Sequence, residues 1–108
     1  MQTKSALAAL AALAQESRLN IFRLLVQTGP EGLAASKIAE SLDVAPSSLS
    51  FHLKELSHAG LIESRQDGRF IIYSASFDTM NELLGFLTEN CCGGERCAPT
   101  ATVKTCKK

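Results

Sequence analysis

Apolar residues recur at helical spacing from residue 5 to about residue 60, give way to two β-rich runs, and return to helical spacing near the end. Leu7, Leu10 and Leu13 mark one side of an Ala-rich helix over residues 3–14. Alanine favours helix, and its small side chain lets another helix come close. Leu19, Phe22, Leu25 and Val26 form the expected buried face of a second helix, Ser17 to Thr28, which Gly29-Pro30 ends. Glu31-Gly32 reads as a loop. A third helix over residues 35–42 buries Ile38 and Leu42, and Asp43-Val44 makes a tight turn. Leu49, Leu53 and Leu56 then form one buried stripe within the stretch Ala45–Gly60. Two short helices joined by such a turn make a helix-turn-helix.

On the second of these helices Ser47, Phe51, Lys54 and His58 lie opposite the leucine stripe, and Ser50 lies beside the stripe. Hydroxyls, a ring and a lysine suit a DNA groove, where they meet phosphates and base edges. A solvated helix face is the plainer reading of the same residues. His52 falls at the border of the buried stripe and reads as a packing or backbone-bonding residue. Gly60 stops the helix. Two β-rich runs follow, separated by Asp67-Gly68, a strong hairpin signal because both turn residues of that type need positive φ. The expected register pairs Gln66 with Arg69, Ser64 with Ile71 and Ile62 with Tyr73, with Phe70 and Tyr73 in the wing core. Arg65 and Arg69 then stand at the tip, free to reach DNA or to pair with Glu63 and Asp67. A hairpin directly after a helix-turn-helix is a winged helix. A last helix runs from Ser76, its N-cap, to Cys92, with Asp78 in the first turn. Phe77, Met80, Leu83, Leu84, Leu87 and Cys91 share one face, and Gly93-Gly94 breaks it.

The expected fold class is mainly α with a β-hairpin wing, in the order α-α-α-α-β-β-α. Residues 1–92 make one DNA-binding and dimerisation domain, and residues 93–108 a flexible tail. With 108 residues the core is small, so a homodimer that buries further surface is expected. No apolar run approaches the roughly 18 residues of a membrane span, and the N-terminus lacks a signal-peptide pattern. A cytoplasmic protein with reduced thiols is expected. Net charge is zero, which counts against nucleic acid unless the placement of charge decides. Neither histidine has a Cys or a Ser/Asp partner in a recognisable catalytic set, so an enzyme is not expected. All four cysteines, Cys91, Cys92, Cys97 and Cys106, fall after residue 90. Clustering at one end favours metal binding or redox chemistry over a disulfide scaffold.

From residue 5 to about residue 92 the chain resembles the ArsR/SmtB family of winged-helix, metal-responsive repressors. The resemblance rests on Arg18-Leu19, on Ser47-x-x-Ser50-x-His52-Leu53-x-x-Leu56-x-x-Ala59-Gly60-Leu61-Ile62, and on Arg65-x-x-Gly68-Arg69-x-x-x-Tyr73. It implies a homodimer joined through the first and last helices, binding double-stranded operator DNA through Ser47, Ser48, Ser50, Phe51, Lys54, Arg65 and Arg69. Two positions depart from the family pattern. Gln66 stands where many members carry a second arginine, and Ala45 stands at the usual Ser N-cap. Many arsenic-responsive members carry thiols at the start of the third helix, where this chain has Ala34 to Ala39 without one. Zinc-sensing members use histidines and carboxylates on the last helix, where this chain has Asp78, Glu82 and Glu89 but no histidine.

The effector ligands expected are therefore the C-terminal thiols Cys91, Cys92 and Cys97, with Cys106 as a further candidate. Three soft thiolates favour a thiophilic centre. As(III) or Sb(III) takes three sulfurs, whereas zinc prefers four ligands. No organic cofactor is expected. Three rivals stay open: a thiol redox switch, a Cd, Zn or Bi sensor using all four cysteines, and a protein-binding winged helix with a metal-storing tail.

Overall fold

The computed structural model describes residues 1–94, apart from the side chain of Cys92. Cys97 and Cys106 lie outside the described residues, as does most of the expected tail. The elements are α1 (Thr3–Leu13), α2 (Glu16–Thr28), β1 (Leu33–Ala34), α3 (Ala35–Leu42), α4 (Pro46–His58), β2 (Ile62–Asp67), β3 (Phe70–Ala75) and α5 (Phe77–Leu87), then a single 3-10 turn over Cys91–Gly94. Ile21 and Leu25 of α2, Ile38 of α3, Leu49, Leu53 and Leu56 of α4, and Leu61 and Ile62 at the start of the wing form the core. The fold is a winged helix-turn-helix, as the hydrophobic pattern indicates.

Burial on α1 differs from expectation. Ala6, Ala9 and Ala12 are buried, while Leu7 is 61% and Leu10 40% exposed. The methyl-sized face is the one that seats against α2 and α4, because only small side chains let the helix axes approach that closely. The larger leucines are left on the outside. On α2 the core side is turned toward Ile21 and Leu25, so Leu19 is 41% exposed at its edge. Arg18 ties the two helices together. Its backbone N–H donates to the Gln15 side-chain oxygen at 2.9 Å, and its Nε donates to the Ala12 carbonyl at 2.8 Å. The second bond satisfies one of the orphan carbonyls at the end of α1.

A third strand was not legible in the sequence, because two residues carry no period. Leu33 and Ala34 pair antiparallel with Tyr73 and Ile72, giving the strand order β1-β3-β2. Gly32, with φ +71°, makes this possible: a Cβ there would collide with the carbonyl oxygen of Tyr73.

The hairpin register also differs from expectation. Asp67 pairs with Phe70, Gln66 with Ile71, Arg65 with Ile72 and Ser64 with Tyr73. The loop is Gly68-Arg69, with a positive φ at Gly68 (+65°) alone. That suits a II′ turn, which needs glycine only at its first central position, and not the turn centred on Asp67-Gly68. The slip is an even number of residues, so each face keeps its membership. Only Arg69 stands at the tip. Phe70 beside it is 59% exposed and not part of a wing core.

The last helix stops earlier than expected. Its N-terminus is as read: Ser76 accepts from the Thr79 N–H at 3.3 Å, and Asp78 lies in the first turn. At the other end the Thr88 hydroxyl donates back to the Leu84 carbonyl at 2.8 Å, and Asn90 adopts a left-handed φ of 60°. Both features compete with continued helix. Cys91 and Cys92 therefore do not extend the α5 face. They open the 3-10 turn beyond it, where the Cys91 N–H donates to the Thr88 carbonyl at 2.9 Å. Of the expected apolar face, Leu83 is buried, Phe77 and Met80 are half-buried, and Leu84 and Leu87 are 38% and 55% exposed. No helix among the described residues is long and apolar enough to cross a membrane.

Candidate nucleic-acid interface

The interface is built outward from α4. Leu49, Leu53 and Leu56 anchor its inner side in the core, at most 4% exposed. Their burial fixes the helix in roll, so Ser47, Ser48, Ser50, Phe51 and Lys54 all face solvent. Phe51 is 56% exposed. Its ring meets His52 edge to face, with centroids 5.8 Å apart. His52 itself is half-buried as a packing residue, and its buried Nδ1 has no hydrogen-bond partner. His58 is exposed at the last turn.

Both ends of α4 are set by local chemistry. Pro46 occupies the first turn, where its missing N–H costs nothing and its fixed φ suits the helix. Ala45 offers no side-chain cap, and its carbonyl accepts from the Leu49 N–H at 2.9 Å. Among the described residues the amides of Ser47 and Ser48 have no acceptor. Two open donors thus sit at the positive end of the helix dipole, which favours anions. At the far end Leu61 N–H donates to the Leu56 carbonyl and Gly60 N–H to the Ser57 carbonyl, both at 3.0 Å. This pair of bonds is a Schellman motif. It stops the helix and swings the chain straight into β2. The preceding turn is equally tight: Asp43 takes a left-handed φ of 54°, and Val44 N–H donates to the Ala39 carbonyl at 3.1 Å.

The wing places Arg69 in its turn, next to exposed Phe70 and Ile71. Arg65 sits further back, opposite Ile72, and its Nη2 donates to the Glu31 carbonyl at 2.8 Å. Neither arginine pairs with Glu63 or Asp67. The one ion pair among the described residues is Lys37–Glu40 at 3.9 Å, exposed and on α3. Phe70 and Ile71 are the interface candidates that sequence reading missed. Their β-rich run looked like buried strand, and only the register shows that they lie beyond the part of the sheet that β1 covers.

Of the cysteines, Cys91 is half-buried in the 3-10 turn with Cys92 next to it. The pair stands outside the nucleic-acid interface, at the C-terminal end of the element that follows the wing.

A family described as a helix-turn-helix domain matches residues 13–65. The HTH-type transcriptional regulator YceK of Bacillus subtilis (strain 168) is 39% identical over 77 residues, covering 70% of this chain and 76% of that protein. A putative arsenical resistance operon repressor, ArsR, of Halobacterium salinarum is 39% identical over 67 residues, covering 62% of this chain but only 51% of that longer protein. Among solved structures, an ArsR-like transcriptional regulator from Rhodococcus sp. RHA1 superposes with a TM-score of 0.71 at 30% identity, covering 94% of this chain and 92% of that one. The outward row on α4, the wing and these likenesses lead to one assignment: the chain belongs to the ArsR family of winged helix-turn-helix transcriptional regulators.

Proposed function

We propose that the protein is a repressor that binds double-stranded operator DNA as a homodimer and is released when As(III) or Sb(III) is captured by Cys91, Cys92 and Cys97, with Cys106 available as a fourth thiol. The observation that carries the DNA half is the solvent-facing row of Ser47, Ser48, Ser50, Phe51 and Lys54, headed by two open amides. Lys54 and Arg69 supply phosphate contacts and the row reads the major groove. The dimer half is supported by Leu7 and Leu10 on α1 and by Leu84 and Leu87 on α5, four exposed leucines on two helices that touch. A single chain gains nothing from leaving them in water.

The effector half rests on donor chemistry. Four thiols within sixteen residues form a soft donor set without imidazole. The 3-10 turn, Cys91–Gly94, is one turn long, follows left-handed Asn90 and contains Gly93 with φ +67°, so little helix has to yield for neighbouring thiols to converge. Likeness to a protein named as an arsenical resistance repressor supports the same choice. The metalloid supplies sulfur-bound crosslinking; the chain supplies the link from the turn to α5 through Cys91 N–H and Thr88. Altered α5 packing would shift the two recognition helices relative to each other.

The test is an operator-binding titration with As(III), Sb(III), Cd(II) and Zn(II), using wild type and four single Cys→Ser variants. Sedimentation of the same samples reports the dimer. As(III) is expected to weaken duplex binding by about 5- to 150-fold, the usual range of allosteric coupling. Cys91→Ser, Cys92→Ser and Cys97→Ser should lose this response, and Cys106→Ser should keep it. Release of the Cys91→Ser and Cys97→Ser variants by As(III) would place the site elsewhere. Release by oxidant alone would mark a redox switch, and a Cd(II) response that needs Cys106 a four-thiol sensor.

The uncapped start of α4 gives a further expected result. Ala45→Ser should cap the Ser48 N–H and raise stability by about 1 kcal/mol. It should also weaken duplex binding by about threefold, because a phosphate then loses a backbone donor. Unchanged affinity and salt dependence would show that no phosphate uses those amides.

A further inference from the structure

We propose that Arg65 is a positioning residue, a clamp that sets the angle of the wing so that Arg69 can reach DNA, and not itself a phosphate contact. This inference rests on the DNA-binding reading above. β1 is only two residues long and pairs with Ile72 and Tyr73 alone. Beyond Ile72 the wing is a bare two-stranded ribbon, Gln66–Ile71 and Asp67–Phe70, ending in Gly68-Arg69. Such a ribbon has little stiffness of its own. Arg65 stands in the last row of the sheet that is three strands wide, the row Arg65–Ile72–Ala34. From there its side chain crosses β3, and Nη2 bonds the Glu31 carbonyl in the loop before β1 at 2.8 Å. The bond joins residues 34 apart in sequence.

The acceptor is a fixed post. Gly32 N–H donates to the Gly29 carbonyl at 3.1 Å, and Gly32 lies against the Tyr73 carbonyl with no room for a Cβ. Pro30 restricts the backbone on the other side of Glu31. Arg65 thus clamps a cantilever at its fulcrum to the Glu31 loop, across the exposed surface of the sheet, with its guanidinium turned away from the tip. A fork-shaped donor suits this task better than an ammonium.

Two measurements test the clamp. In the free protein, backbone order parameters of Gly68 and Arg69 should be high in wild type and fall below about 0.6, the flexible range, in Arg65→Gln. Unchanged order parameters would overturn the proposal whatever the protein binds. The second measurement uses a 30-base-pair duplex (an arbitrary convenient length, about three helical turns) that wild type recovers from a randomised pool. Arg69→Gln should weaken binding by about tenfold and lower the salt slope by about one. Arg65→Gln should weaken it by about threefold, and the double variant should bind no worse than Arg69→Gln alone. Losses that multiply, with a salt slope lower by about two, would make Arg65 an independent phosphate contact and overturn the clamp. So would an Arg65→Gln loss with no effect of Arg69→Gln. If wild type recovers no duplex, the DNA reading itself fails, and the order parameters still decide whether Arg65 holds the wing.

Discussion

Replacing Leu56 by alanine is expected to lower the unfolding free energy by about 3 kcal/mol, within the usual range of 2–5 for a buried leucine. Leu56 is fully buried, and its carbonyl also receives the Leu61 N–H that closes α4. The truncation leaves a cavity where α4 meets the start of the wing. Domains have only about 5–15 kcal/mol in total, so the melting temperature should fall by roughly 12–24 °C. Urea unfolding at fixed protein concentration measures it, because a dimer's stability depends on concentration. Phe51→Ala is the control on the opposite side of the same helix. Phe51 is 56% exposed, so its loss should change stability by no more than about 0.5 kcal/mol while weakening duplex binding. A Leu56→Ala protein as stable as wild type would mean that α4 does not seat on the core as described.

Gly32→Ala is expected to cost about 3 kcal/mol or more, from two independent faults. A left-handed φ of +71° disfavours any L side chain, by about 1–2 kcal/mol. The new methyl would also overlap the Tyr73 carbonyl, which is backbone and has no rotamer to escape into. Relief requires β1 to separate from β3, and that removes the post on which Arg65 is held. Gly68→Ala separates the two faults. It has a similar φ of +65° but open space around the new Cβ, so only the strain of about 1 kcal/mol should appear. Equal losses at the two glycines in urea titrations would show that the close approach at Gly32 carries no weight.

The recognition helix was legible because one strong constraint governs it. Three leucines at helical spacing must be buried, and that alone turns Ser47, Ser50, Phe51 and Lys54 outward. The wing was legible as an element but not in register. Asp67-Gly68 and Gly68-Arg69 are both plausible loops around one glycine, and they differ in which residues accept positive φ. The spacing extends the last helix five residues too far, to Cys92 instead of Leu87, because Cys91 continues the apolar spacing of Leu84 and Leu87, while Thr88 and Asn90 end the helix through hydrogen bonding and backbone conformation that periodicity does not report.

By itself the sequence determined the order of elements, the buried stripe of α4, the winged class and the gathering of thiols at one end. These follow from local spacing, turn chemistry and side-chain type, and each acts over a few residues. Only the tertiary structure decided which face of α1 is buried, that Leu33 and Ala34 form a strand, and that Arg65 bonds the Glu31 carbonyl while Arg69 alone reaches the tip. Those choices depend on how closely two backbones approach and on which distant carbonyl a side chain finds. Alanines win over leucines on α1 because the gap between helices admits only a methyl, and Gly32 makes a strand because nothing larger than hydrogen fits beneath Tyr73.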